Sequence, residues 1–268
     1  MRALMKVGFS LLVLAVVLVA LSYSMLRASG TTVAHEGRAL ASESRTIPAG
    51  ITEIDLDGPI DLTVRQGATP SLEISGEQRM LGNVEISDDG KLLHIGIRGM
   101  VLRHREPLGV ALVLPALDAI TVEGSGGSLV NGFSGETVAI ALNGSGSLRF
   151  NGRYRHVNAS LSGSGDLDVN GGAAIERIET RLMGSGRITV AGNARQLEAQ
   201  MTGSGNLDAE HLRADDVTLS QSGSGDSTVQ ARSKVSVTQS GSGDVEVHGN
   251  PAERSSSRVG SGSVHYVD

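Results

Sequence analysis

The chain has 268 residues, a formal net charge of −6, no cysteine, no tryptophan and 36 glycines. Without cysteine it has no disulfide staple, thiolate metal site, cysteine nucleophile or lipidated cysteine, and the acidic balance speaks against nucleic acid as a partner. Its apolar residues are mostly Val, Ile, Leu and Ala, with three Tyr and three Phe, a composition suited to short packed strands and poor in the large side chains that line ligand pockets.

Arg2 and Lys6 precede an apolar run from Val7 to Leu26. At 1.5 Å per residue a helix over this run is about 30 Å long, enough to cross a bilayer. Residues 1–30 therefore read as an export helix. It is either a signal peptide cleaved near Ala28-Ser29-Gly30 or an uncleaved signal-anchor holding the chain in a membrane through Val7–Leu26. The basic residues on its N-terminal side favour export of the body, to the periplasm or cell envelope, anchored or secreted.

Residues 31–46 are small and polar and read as a linker. From Ile47 to Glu123 apolar residues fall two apart in short runs, as in Ile54/Leu56, Ile60/Leu62/Val64, Leu72/Ile74, Leu93/Ile95/Ile97 and Val110/Leu112/Leu114. This spacing predicts an N-terminal β region with glycine turns and no long helix.

Residues 124–268 are a repeat. The tripeptide Gly-Ser-Gly occurs at Gly124/Gly126, Gly144/Gly146, Gly163/Gly165, Gly184/Gly186, Gly203/Gly205, Gly223/Gly225, Gly241/Gly243 and Gly260/Gly262, at intervals of 18 to 21 residues. On both sides of it apolar residues again alternate, as in Val157/Ala159/Leu161 before one turn and Leu167/Val169 after it. Each unit thus reads as a strand, a tight turn, a second strand and a looser return marked by pairs such as Asn131-Gly132 and Asn170-Gly171. So short a unit cannot bury its apolar face alone but can do so stacked on copies of itself. The expected fold is all-β, a parallel β-helix or solenoid of two facing sheets with about 20 residues per coil, right-handed by the rule for parallel crossovers. The sixteen turn glycines are the expected structural positions, supplying φ > 0 for a sharp reversal. The serine column is expected to share hydroxyl hydrogen bonds from coil to coil. Two residues before the turn the apolar series gives way to Gln221, Gln239 and Arg258, which reads either as a polar capping end or as a stacked glutamine ladder.

The Gly-Ser-Gly turns, together with GPIDLTVRQG (58–67), SLEISGE (71–77), DGKLLHI (89–95) and HGNPAERSSSRVGSGSV (248–264), resemble the auto-transporter adhesin "head GIN" domain family of bacterial envelope proteins, over about residues 47–268. The resemblance implies a two-sheet superhelix like the pectin-lyase-type β-helices, with Gly-Ser-Gly at the tight turn, no preserved catalytic residues and a role in adhesion. It carries no functional residue onto this chain.

The chemistry in the chain points the same way. The turn serines lack a G-x-S-x-G elbow and read as structure. Asp166/Asp168, Asn206/Asp208, Asp226 and Asp244 follow the turns and faintly suggest a calcium column. The same position holds Gly127, Ser147, Arg187 and Ser263 elsewhere, so exposed turn carboxylates are the better reading. A polysaccharide enzyme would need clustered carboxylates, with Asp215 and Asp216 as candidates across coils, and aromatic platforms, for which the body offers Phe133, Phe150, Tyr154 and Tyr266. His35, His94, His104, His156, His211, His248 and His265 show no metal-ligand spacing, and Arg103-His104-Arg105 is the one local basic cluster. The expectation is a non-enzyme with no catalytic, metal or cofactor residues, acting by adhesion to a surface or matrix ligand or by self-association, with homo-oligomers open. An inner-membrane-anchored periplasmic structural or sensory module comes second and a polysaccharide-active enzyme third.

Overall fold

The computed structural model describes residues 39–99 and 108–267. The expected export helix with Val7–Leu26, the first part of the linker, His35 and the Arg103-His104-Arg105 run lie outside the described residues. Among the described residues no helix is long and apolar enough to cross a membrane.

In the repeat the chain is extended almost throughout. Strands β9 (Gly127–Gly144), β10 (Ser147–Gly163), β13 (Arg187–Gly203), β14 (Asn206–Gly223) and β15 (Ser227–Gly241) each run from one Gly-Ser-Gly to the next. The return is therefore a bend inside a continuous strand rather than a loop between two. At Asn151/Gly152 the register slips by one residue, Asn151 facing Asn131 and Gly152 facing Phe133, so a bulge turns the strand without ending its ladder. Two coils do break there, into β11 (Asp166–Asn170) and β12 (Ile175–Gly184), and into β16 (Val245–His248) and β17 (Glu253–Gly260). β18 (Val264–Val267) follows the last turn.

Successive coils pair in parallel. The halves after each turn form one ladder and the halves before the next turn form another. Like residues stack: Val157 lies between Val138 and Ile178, and Leu161 between Leu142 and Leu182. Every second side chain points inward, and the two ladders meet in one aliphatic core. Each fully buried Leu, Ile or Val contributes about 1.5–3 kcal/mol, repeated coil after coil. Phe133 and Phe150 fill the return bends, and the Tyr154 hydroxyl donates to Leu117 O at 2.7 Å.

The N-terminal region enters this stack out of order. β2 (Glu53–Asp57) and β3 (Ile60–Gln66) form a coil around Gly58-Pro59. β6 (Leu92–Ile97) and β7 (Leu108–Leu114) lie on one side of it, and β8 (Ala119–Gly124) with the first half of β9 on the other. β4 (Ser71–Glu77) and β5 (Val84–Asp89) then add antiparallel to β7 and β6, closing both ladders. Between them α1 (Gln78–Leu81) buries Met80 and Leu81. β1 (Leu40–Arg45) pairs antiparallel with β4, although these residues read from sequence as the end of the polar linker. The pairing is made by backbone against an edge, with Arg45 reaching Val84 O and Leu81 O at 3.1 and 3.3 Å, so it needs no apolar alternation.

At the C-terminal end the stack changes its chemistry instead. In earlier coils the carbonyl of the second turn glycine accepts from the next coil's backbone, as Gly146 O does from Asp166 N and Gly165 O from Arg187 N, both at 3.0 Å. Later that N–H turns to a side chain: Asp244 N donates to Asp226 Oδ1 and Ser263 N to Asp244 Oδ1, both at 2.9 Å. The freed carbonyls of Gly225 and Gly243 are met from inside by Gln221 Nε2 and Gln239 Nε2, and that of Gly262 by Arg258 Nη1 at 2.9 Å. The polar column is thus a set of internal turn closures, each bonded to its own coil, rather than a glutamine-to-glutamine ladder. In β17 all eight residues are exposed, and Arg254, Ser256 and Arg258 stand where the preceding coil has Val235, Val237 and Gln239.

Candidate interaction face

The Gly-Ser-Gly edge is closed by its own backbone, but its two glycines are needed for different reasons. The expected φ > 0 holds for the first glycine of each turn, with φ between +122° at Gly203 and +140° at Gly124. At Gly163 φ is +130°, and an added Cβ would sit 2.2 Å from Gly144 O, so both the conformation and the space demand glycine. The second glycine corrects the expectation. Gly126, Gly146, Gly165, Gly186, Gly205, Gly225, Gly243 and Gly262 all lie outside the positive-φ region. Space alone excludes a side chain there, because the turn packs directly on the backbone of the coil before it. A Cβ would come within 2.0 Å of Ile60 O at Gly126, 2.4 Å of Gly146 O at Gly165, 2.3 Å of Gly165 O at Gly186 and 2.4 Å of Gly186 O at Gly205.

Gly144 O accepts from both Ser164 N (2.9 Å) and Gly165 N (3.1 Å). The serines therefore hold the stack through their backbone. Among the described residues the expected hydroxyl sharing occurs only at Ser261 and Ser242, 3.3 Å apart.

The carboxylates beside the turn are engaged in the same way. Besides Asp226 and Asp244, Asp168 pairs with Arg149 at 3.2 Å. The Ser263 hydroxyl and backbone N–H hold the Asp244 carboxyl below its ordinary range, with a smaller contribution from His265. The described histidines are separate. His94 meets Asp55 at 3.0 Å, His156 lies 3.7 Å from both Glu136 and Glu176, His248 meets Glu246 at 3.2 Å, and His265 meets Ser263 at 2.8 Å. His211 lies on a bulge with Asp208 and Glu210, their ligating atoms all within 4.8 Å of one another, a grouping that H-x₃-H spacing did not reveal. Glu210 and His211 are exposed and Asp208 is half-buried, and Asp208 already accepts the Glu210 N–H at 3.2 Å. Phe133, Phe150 and Tyr154 are buried and offer no platform to a sugar. Burial, with the Asp118 charge adding to it, pushes the Tyr154 phenol up to about 12.

A column of charged side chains runs along the return bends, apart from the Arg149–Asp168 and Arg177/Arg181–Glu179 pairs on the strand faces. Arg155 sits between Glu136 (3.7 Å) and Glu176 (3.1 Å), and Arg232 meets Asp215 at 3.7 Å. The register of the neighbouring residues puts Arg195 level with Glu176 and Asp215. Along this flank the column reads Glu136, Arg155, Glu176, Arg195, Asp215, Arg232, one charge per coil and alternating in sign. Asp215, a sequence candidate for a catalytic cluster, is here an ion-pair partner, and Asp216 faces Lys234.

A cleft of about 350 Å³ opens on this flank where Gly171–Ala174 interrupts the third coil. Ala173 and Ala174 line it along with Arg155, Arg195, Arg213 and Arg232. A second depression, of about 440 Å³, shares Ala173, Asn193 and Arg213 with the first and adds Asn170, Glu210 and Gln230. Sequence reading passed over these arginines because they are far apart in the chain. Coils of 18 to 21 residues with bulges hide their alignment until the register is known.

The comparisons with known proteins agree with this architecture. The family model described as "Putative auto-transporter adhesin, head GIN domain" matches residues 50–251. The crystal structure of a "putative adhesin" from Parabacteroides distasonis is similar at a TM-score of 0.81 and 25% identity, covering 87% of this chain and 98% of that one. A "putative adhesin" from Parabacteroides merdae (TM-score 0.80, 23% identity, 85% of this chain and 96% of that one) shares the fold. So does a "putative lipid binding protein" from P. distasonis (TM-score 0.79, 21% identity, 85% and 97%). No curated protein matches the chain.

Proposed function

From the auto-transporter adhesin head GIN domain family, to which this chain belongs, we propose a non-catalytic envelope solenoid whose work is surface contact, by adhesion or self-association. One observation carries the reading: the turn edge and core are taken up by holding coils together, while alternating charges line the return-bend flank at coil spacing. Such a flank is rigid and repetitive, and it presents the same geometry to a partner at each coil. Glu176 and Asp215, the carboxylates on this flank, are already engaged by Arg155 and Arg232.

The test is protease accessibility on intact cells against cells with a permeabilised outer membrane. Digestion on intact cells is expected. Protection until permeabilisation would overturn the adhesive role and make the chain a periplasmic module.

A further inference from the structure

We infer that the cleft over Ala173 and Ala174 is a binding groove for an acidic polysaccharide, one whose sugars carry carboxylate or sulfate groups. The inference rests on reading the return-bend flank as the contact face and names what that face takes.

The chain as a whole is acidic, yet four guanidiniums line the cleft against two carboxylates, Glu176 and Asp215. Arg155 and Arg232 are held by carboxylates, but among the described residues no carboxylate lies within 4.0 Å of the Arg195 or Arg213 guanidinium. Both are exposed, so each fork of N–H donors is free to take an anion in two parallel hydrogen bonds.

The strand interruption at Gly171–Ala174 puts the small side chains of Ala173 and Ala174 in the lining of the cleft. The adjoining depression carries it on past Asn193 and Arg213. From Arg155 in one coil to Arg232 four coils on, the guanidiniums span about 19 Å at about 4.8 Å per coil. An elongated ligand with repeated charges fits this span better than a compact one.

Asn170, Asn193 and Gln230 offer amides that both donate and accept, and Glu210 accepts. Amides and a carboxylate suit sugar hydroxyls, while the arginines suit the acidic substituents. With Phe133, Phe150 and Tyr154 buried, a nucleic acid would find no aromatic ring from these three on which to stack a base. The same lack of a ring gives a neutral glycan little to hold to. Binding should therefore depend on charge and weaken with salt.

The test measures binding of the full-length chain, in neutral detergent, to polygalacturonate, dextran sulfate, neutral dextran and polyuridylate. Polygalacturonate or dextran sulfate should bind, and which of them binds tighter identifies carboxylate or sulfate as the group recognised. Affinity should fall steeply between about 50 mM and about 500 mM salt. R195Q/R213Q should weaken binding about tenfold or more at an unchanged melting temperature. R65Q/R187Q, which removes the same charge away from the groove, should bind as wild type. Equal binding of neutral dextran, tighter binding of polyuridylate, or wild-type affinity in R195Q/R213Q would each overturn the inference. Cell adherence is scored separately. An adherent cell whose chain binds neither acidic glycan sinks only the groove, and a chain that binds glycan on non-adherent cells sinks only the adhesive reading.

Discussion

At its N-terminal end the solenoid stops by changing topology, whereas at its C-terminal end it keeps the topology and changes its side chains. β4 and β5 run against the parallel ladders, β1 covers β4, and Met80 and Leu81 seal the core beneath. β17 still pairs in parallel register with β15, but Arg254 and Arg258 take positions that belong to Val235 and Gln239 one coil earlier. An open sheet edge invites pairing with another chain, and inward charges are one way to discourage it. One end is thus protected by burial and the other by the cost of burying charge.

Substitutions separate the two ends from the middle of the stack, where neither device helps. Gly163→Val meets both a positive φ and a backbone clash, and should cost about 3–6 kcal/mol, read as a lower urea midpoint. Gly260→Val meets the same clash with Gly241 O but has less of the stack beyond it, so it should cost about half as much. At the buried end, Leu81→Ala should cost about 2–4 kcal/mol in the same assay. At the polar end, Gln239→Leu leaves Gly243 O without its donor and should cost about 1–3 kcal/mol. R254V/R258V should change stability by less than about 1 kcal/mol but add end-to-end assembly beyond that of the wild type in sedimentation velocity.

Two groups make stability depend on pH, with opposite signs. Tyr154, whose phenol is raised from 10.0 to about 12, contributes stability that is complete below its unfolded value and lost as pH rises through that window. Tyr154→Phe should therefore flatten the fall in melting temperature at alkaline pH. Asp244, lowered from 3.8, contributes stability present above that value and lost as pH falls below it. Asp244→Asn should flatten the acid side by about a degree or less, because the group is exposed.

The repeat was legible because its cause is local: a glycine is needed wherever a Cβ would strike the previous coil, and that recurs in every coil. Which glycine needs the unusual backbone angle was not legible. Gly184 and Gly186 look alike in sequence, and only the path of the turn gives the first a positive φ and leaves the second a purely steric role. The switch at Gln221 and Gln239 was visible as a change of residue type. Its meaning was not, since it depends on Asp226 and Asp244 redirecting backbone donors in the neighbouring coil. β1 left no mark because its pairing is backbone to backbone with mostly exposed side chains. The groove was hidden for a different reason. Arg195 and Arg213 neighbour one another only after coils of unequal length are brought into register, and the small residues below them read simply as a turn.

The placement of β2 and β3 also bears on the order in which the molecule can form. Their coil lies inside the stack, between β6/β7 and β8/β9, so its two faces are covered only after more than fifty further residues have arrived. Closing contacts of that separation is slow compared with adding one coil to a finished neighbour. For a chain that emerges N-terminus first, the early strands must wait for their partners. Once the interleaved block closes, the remaining coils can zip on one after another toward the C-terminus.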